Sequence, residues 1–318
     1  MTADYHIMRS WNVAINLYRP RELEYFNFMR ETNQAEIDRC TSFLKENGYG
    51  TFKRGEWNLV PSYKCVKQLL ANHVTLIDRV YDSIKSTTDF DVPEKTPSRV
   101  ERLAELIGID IIQGLCIMSC LEKTSKTAGD VCEFGVAQGA TSALIANEIR
   151  CSDKTLWLFD SFEGLPKPTE KDTLINDIFN LGSMSAYEGK MASPADMVMR
   201  RMTDIQFPPA KLRIVPGFVE TTLTGKHIPD KVSFAFIDLD LYEPIKIALE
   251  FLHRRLQKDG IMIVHDYGHF SSGAKTAVDE FISANSQTYR ARTETSAGAI
   301  CIIEKTREAS EFVQGLEE

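Results

Sequence analysis

Apolar residues in the C-terminal two thirds of the chain come in short unbroken blocks. These predict strands at 131–135, 156–160, 212–216, 233–238, 260–265 and 298–304. Blocks of that length, without strict alternation, suit strands buried on both faces. Between them the apolar positions take helical spacing, which predicts helices over 141–150, 194–203, 243–257 and 273–284. Strand and helix in alternation give an α/β fold, a mostly parallel doubly wound sheet with helices on both faces. A strand-like run at 289–293 precedes the last block, so a closing hairpin with an antiparallel C-terminal edge is expected.

Upstream the rhythm differs. Val66, Leu69, Leu70, Val74, Ile77, Val80 and Ile84 lie at helical spacing, and residues 1–95 read as a largely helical N-terminal extension. That extension shows no phosphate loop or catalytic signature and is open to three readings: a lid, a dimerisation arm or a substrate- or partner-docking region. The polar stretch 89–97, with two prolines, reads as a linker. Ser98 and Glu101 have capping-box spacing before a helix, and another helix is expected through 111–121. The main domain is therefore placed at 96–306, with a flexible polar tail at 307–318. Residues 172–200 exceed an ordinary connection and form either a substrate lid or a surface insertion with one extra helix.

The chain has 318 residues, enough for one large domain with an extension or for two domains, and 43% of them are apolar. A net charge of -8 and a pI of about 5.4 argue against nucleic acid as the main partner. No apolar run approaches the ~18–20 residues of a membrane span, and MTADYHIMRSW carries no basic-then-apolar leader. Seven cysteines are scattered without a CxxC pair. They read as reduced thiols of a cytoplasmic protein with a small-molecule partner, neither nucleic acid nor membrane, and a homo-oligomeric state is expected.

The stretch VCEFGVAQGATS ends the first strand in a glycine turn and opens a helix. Gly135 permits a sharp turn and Gly139 lies just before the helix, where Thr141 and Ser142 are good capping residues. A loop at a helix N-terminus offers free N–H groups and positive potential. The spacing is Gly-x3-Gly rather than GxGxxG, and no phosphate-binding lysine follows. Glu133 would oppose a pyrophosphate but could hold an ammonium, which S-adenosylmethionine (SAM) carries. Asp160, 25 residues after Gly135, ends the second strand, where a carboxylate can accept ribose hydroxyls. The cofactor-binding candidates here are Glu133, Gly135, Gln138, Gly139, Thr141, Ser142 and Asp160.

A second constellation follows. FAFIDLDLYE runs a strand into Asp238 and Asp240, and GIMIVHDY runs the next into His265 and Asp266. In doubly wound sheets the ligand crevice lies at the carboxyl ends of the strands, so Asp238 is expected to face the cofactor. Crowded carboxylates repel unless a cation or proton intervenes. The cluster suits a divalent metal such as Mg2+ or Mn2+, which could acidify a substrate hydroxyl. Asp240 could instead cap the next helix.

The motifs CEFGVAQGATS, LFDSFEGLP, VPGFVETTL, IDLDLYEPIKIALE and GIMIVHDYGHFSSGAKTAVDEF, in this order, resemble the macrocin (TylF-type) O-methyltransferase family over roughly residues 97–303. The resemblance implies a Rossmann-like class I, SAM- and Mg2+-dependent methyltransferase acting on hydroxyls of sugars or other natural-product intermediates. It implies a methionine loop at Glu133, Gly135 and Gly139, ribose contacts at Asp160 and Ser161, and an adenine-side contact at Gly217. It places metal ligands at Asp238, His265 and Asp266, and a general base at Asp240. The family usually has two aspartates where this chain has His265 and Asp266; histidine is a poorer ligand for Mg2+ and a better one for Mn2+, Fe2+ or Zn2+. His265 could instead act as base, and His269 is a further acid–base candidate. The alternatives are metal-independent N- or O-methyl transfer using His265, and a catalytically silent SAM-fold subunit.

Overall fold

The computed structural model describes residues 74–307, apart from 76, 80, 87, 227 and 295, together with the backbone of a short antiparallel pair, β1 (Thr51–Lys53) and β2 (Glu56–Asn58). The tail 308–318 and most of the N-terminal extension lie outside the described residues.

The remaining strands form one sheet: β3 (Asp130–Phe134), β4 (Leu156–Asp160), β5 (Leu212–Pro216), β6 (Val232–Ile237), β7 (Leu256–Val264), β8 (Tyr289–Thr293) and β9 (Cys301–Lys305), in the order β5-β4-β3-β6-β7-β9-β8. β3 to β7 are parallel, and β9 runs antiparallel between β7 and the edge strand β8. The C-terminal hairpin is thus as expected, with its second strand inserted inside the first.

Among the described residues the sheet is covered by α1 (Pro97–Ala104), α2 (Ile111–Lys123), α3 (Ala140–Ile149), α4 (Ala195–Asp204), α5 (Val219–Thr222), α6 (Tyr242–His253) and α7 (Ser272–Ala284). The period-2 geometry of a strand sends alternate residues to opposite faces. On β6, Phe234 and Phe236 join a core with α1, α2 and α3, while Ala235 and Ile237 join a second core with α6 and α7. Every residue of β6 is buried, as its central position requires. α2 is apolar almost all round and accordingly sunk in the first core.

Several boundaries shift from the sequence reading. The cap of α1 is Thr96, whose Oγ1 accepts from Arg99 N at 3.3 Å, rather than Ser98. Pro97 occupies the first helical position, where its missing N–H costs nothing, and this moves the cap one residue before it. α6 stops at His253 rather than 257, because the chain turns into β7 at Leu256. The early part of β7 carries a register irregularity, with Asp259 at φ 62° just before Gly260.

The stretch read as a linker is pinned down. Tyr81 Oη donates to Pro93 O at 3.0 Å and Lys95 pairs with Asp82 at 2.9 Å. Ile77 and Tyr81, in helical turns over 74–85, are fully buried in the first core.

Residues 165–191 build a third, smaller core from Leu165, Phe179, Met184 and Tyr187, closed by Leu241 and Phe270. Leu174 bridges to Ser271, so this insertion lies against the loops that follow β6 and β7. α4 is the helix expected at 194–203, and before it the insertion holds a 3-10 turn at Met184–Tyr187.

Candidate active site

At the carboxyl ends of the strands the hydrogen-bond ladder continues for one residue into each loop. Gly135 N donates to Phe159 O (2.9 Å), Asp238 N to Phe134 O (2.7 Å), His265 N to Ile237 O (2.8 Å) and Gly217 N to Asp160 O (2.9 Å). All the strand-end candidates therefore gather on one rim. Strand order reverses at β3, and the crevice of a doubly wound sheet lies at such a switch point. Below it, the rings of Phe134 and Phe159 stack with centroids 4.9 Å apart and stiffen the floor.

The glycine loop is shaped by backbone constraints. Gly135 has φ 83°, and a Cβ there would lie 1.8 Å from the carbonyl oxygen of Asp238. Gly139, at φ 76°, takes the N-cap position of α3 without a side chain to cap it. Thr141 and Ser142 sit inside the helix and are not its caps. Ser142 Oγ donates instead to Glu133 Oε2. Glu133 is fully buried and its other oxygen, Oε1, has no partner. Burial pushes its carboxyl well above the ordinary glutamate range, with Ser142 opposing and Asp238 and Asp160 adding to the rise.

Asp160 serves the same loop. Its Oδ2 accepts from Val136 N (2.7 Å) and Ala137 N (2.9 Å), and its Oδ1 from Phe162 N (2.6 Å). It thereby holds Ala137 at φ 45°. Ser161 Oγ is used in its own turn, donating to Gly164 O at 2.8 Å. The buried Gln138 has its carbonyl bound by Arg201 Nε of α4 at 2.8 Å, while its Oε1 is unpartnered.

Beside this loop stands the acidic cluster. His265 Nδ1 lies 2.9 Å from Asp238 Oδ1 and 3.6 Å from Asp266 Oδ1. Burial alone would lower the His265 pKa, but the Asp238 and Asp266 charges prevail and hold it up to about 10. Asp266 is itself held below the usual carboxylate range, since His265 and His269 outweigh its burial. Asp240 moves the other way: burial first, then Asp238 and Asp266, push it well above its ordinary value. His269 is half-exposed, with Nδ1 3.4 Å from Asp266 Oδ1 and Nε2 3.4 Å from Asn176 Nδ2.

Asp240 does not cap α6. That role falls to Asp172 of the insertion, whose Oδ1 accepts from Tyr242 N at 2.7 Å. Asp240 adopts φ 62°, and Ser271 Oγ, 2.7 Å from its carbonyl, fixes that backbone. Asp110 caps α2 through a full capping box with Gln113 and lies near enough to His265 to feel its charge. Asp110, Asp172 and Ser271 were not singled out from the sequence. Asp110-x-x-Gln113 does carry a capping-box pattern, whereas nothing local marks the long-range partners of Asp172 and Ser271.

One carboxylate oxygen each from Asp238 and Asp266 and one ring nitrogen of His265 lie within 4.8 Å of one another. Among the described residues this is the group with the spacing and chemistry to hold a metal ion, and its donor set fits a divalent cation. No helix among the described residues is long and apolar enough to cross a membrane.

Comparison with known proteins gives these features a context. The tetracenomycin-C rhamnosyl 4'-O-methyltransferase of Streptomyces olivaceus is 26% identical over 207 residues, 64% of this chain and 77% of that protein. Demethyldecarbamoylnovobiocin O-methyltransferase of Streptomyces niveus is 29% identical over 181 residues, 55% of this chain and 66% of that protein. Mycinamicin III 3''-O-methyltransferase of Micromonospora griseorubida is 28% identical over 171 residues, 51% of this chain and 64% of that protein.

Two solved structures share the fold. The O-methyltransferase NovP has a TM-score of 0.55 at 22% identity, covering 75% of this chain and 100% of that one. The calicheamicin methyltransferase CalS11 has a TM-score of 0.50 at 18% identity, covering 77% and 93%. The sequence profile of the macrocin-O-methyltransferase (TylF) family matches residues 99–291, which include the whole strand-end rim. The chain belongs to the macrocin O-methyltransferase (TylF) family and is an S-adenosylmethionine-dependent methyltransferase.

Proposed function

We propose that the protein transfers the SAM methyl group to a hydroxyl of a small natural-product intermediate, with a sugar hydroxyl as the acceptor class. The observation that carries this reading is the backbone contact between Gly135 and Asp238, which holds the cofactor loop against the acidic cluster. The three relatives, each named as an O-methyltransferase, support the acceptor class.

In this reading the unpartnered Oε1 of Glu133 receives the methionine ammonium, which would supply the charge that its burial lacks. The loop N–H groups and Gln138 line the methionine end. Asp160 keeps the loop in shape and offers its remaining lone pairs to the ribose, beside Ser161, with Gly217 toward the adenine side. The acceptor oxygen bonds to the methyl carbon as the carbon–sulfonium bond breaks, and S-adenosylhomocysteine (SAH) leaves with its sulfur as a neutral thioether. Asp240 takes the hydroxyl proton; a carboxylate with a raised pKa is a stronger base once ionised. Asp238, His265 and Asp266 would hold a divalent cation, which when bound supplies positive charge that offsets the crowded acids and acidifies a neighbouring hydroxyl. His269, Asn176 and the exposed Ile175 on the insertion border the acceptor side.

The test is a mass-spectrometric screen of glycosylated and phenolic acceptors with SAM, repeated with Asp238→Ala. A methylated product that Asp238→Ala fails to form, while SAM still stabilises the variant against heat, is the expected result. No product from any hydroxyl acceptor would defeat the reading. Full turnover after exhaustive metal removal would favour the Asp238–His265 pair as a metal-independent base.

A further inference from the structure

We propose that His265 sets the metal preference of this site, so that it takes a transition-metal cation such as Mn2+ in preference to Mg2+. The inference rests on the cation-binding part of the reading above and on the donor set of this chain.

The three donors are unequal in how freely they can be replaced. Asp238 and Asp266 are partly accessible, while the His265 side chain is 7% exposed. Its backbone is held by the bond to Ile237 O at 2.8 Å, and Asp266 follows in a left-handed conformation at φ 53°. Nδ1 is thereby directed between the two carboxylates rather than toward solvent. A cation within reach of both acids meets that nitrogen.

Mg2+ demands oxygen donors in near-octahedral array and gives up its waters reluctantly. A buried imidazole occupies one position where Mg2+ would hold a water or a carboxylate, and it cannot swing out to admit either. First-row transition cations accept an imidazole alongside carboxylates, with affinity rising from Mn2+ onwards. One nitrogen with two carboxylate oxygens therefore favours these ions over Mg2+. His269 is a second imidazole near Asp266, but it is half-exposed and 3.4 Å from that oxygen, so it is not confined to the cluster.

The experiment uses the full chain with SAH, titrated separately with Mn2+ and Mg2+ and read by thermal shift. Pulsed electron paramagnetic resonance on the Mn2+ form provides a second readout. Mn2+ is expected to bind at least ~10-fold tighter than Mg2+, a difference of about 1.4 kcal/mol. The Mn2+ spectrum should show nitrogen modulation that His269→Ala retains and His265→Asp abolishes. His265→Asp should also narrow the Mn2+–Mg2+ gap. His265→Asn, which adds no buried charge, covers the case in which the Asp variant fails to fold, and should likewise lose the nitrogen signal.

Equal binding of the two ions, or Mn2+ bound without nitrogen coupling, would overturn the proposal. If neither ion binds while SAH still stabilises the protein, the cation site is lost and SAM-dependent methyl transfer stands.

Discussion

Glu133 is a carboxyl placed where it is costly to ionise. Its pKa is raised by burial, so it binds its proton more tightly in the folded chain than in the unfolded one. Its contribution to stability is therefore greatest below the ordinary value of 4.5 and declines as pH rises toward the folded value. Glu133→Gln should remove that decline. In urea unfolding without ligand, the variant should gain on wild type at about pH 8 relative to about pH 5. The same change should weaken SAM binding by roughly 10- to 100-fold, because a charge-assisted hydrogen bond is worth about 1.5–3 kcal/mol. Calorimetry measures this, and unchanged SAM affinity would remove Glu133 from the cofactor site. Gly135→Ala is the backbone counterpart. Its Cβ would lie 1.8 Å from Asp238 O, so the expected loss is several kcal/mol, read by denaturant midpoint. At this scale the sequence was informative about identity but less so about role. Gly135 was read as permitting a sharp turn, and the structure adds that a Cβ there would meet the carbonyl oxygen of Asp238. Thr141 and Ser142 were read as caps, yet Ser142 turns to Glu133, a partner nine positions away that only the fold brings near.

Elements built from short apolar blocks were legible, most of all where burial on both faces leaves a strong local pattern, as in β6. β4, β5 and β8 fall where the sequence put them, although β5 and β8 are edge strands that expose much of their length. The misses are at boundaries decided by single residues, such as Pro97 before α1 and the Asp259–Gly260 kink in β7. The insertion was harder, since its order comes from distant partners. Tyr187 Oη donates to Asp177 Oδ1 at 2.7 Å and accepts from Phe179 N at 3.0 Å. Asp172 links the same segment to α6 and also accepts from Thr169 N at 2.8 Å. Asp172→Ala would strand the Tyr242 and Thr169 N–H groups. A destabilisation of about 1–3 kcal/mol is expected, together with faster hydrogen exchange at the start of α6 and within the insertion. Exchange unchanged in those segments would show that Asp172 does not tie them together.

For the whole molecule, the mostly parallel sheet and the placement of the rim at the strand ends followed from strand–helix alternation. The N-terminal limit of the packed unit did not. Ile77 and Tyr81 are fully buried in the first core, and the stretch read as a linker fastens them there. Truncation before residue 74 should leave cooperative unfolding and SAH stabilisation intact. Truncation at residue 96 should lose both, since each large side chain removed from a core costs about 2–5 kcal/mol. Equal behaviour of the two truncations in a thermal melt would show that 74–95 is dispensable. The contact of Gly135 with the Asp238 carbonyl also bears on how such a protein can diversify. It works as a jig: the spacing between the glycine loop and the acid cluster is machined into main chain, where side-chain replacement cannot reach it. In the function proposed above, the insertion at 172–200 is tied down chiefly through side chains such as Asp172 and Tyr187, so substrate range would drift there while the backbone joint between loop and acids is inherited unchanged.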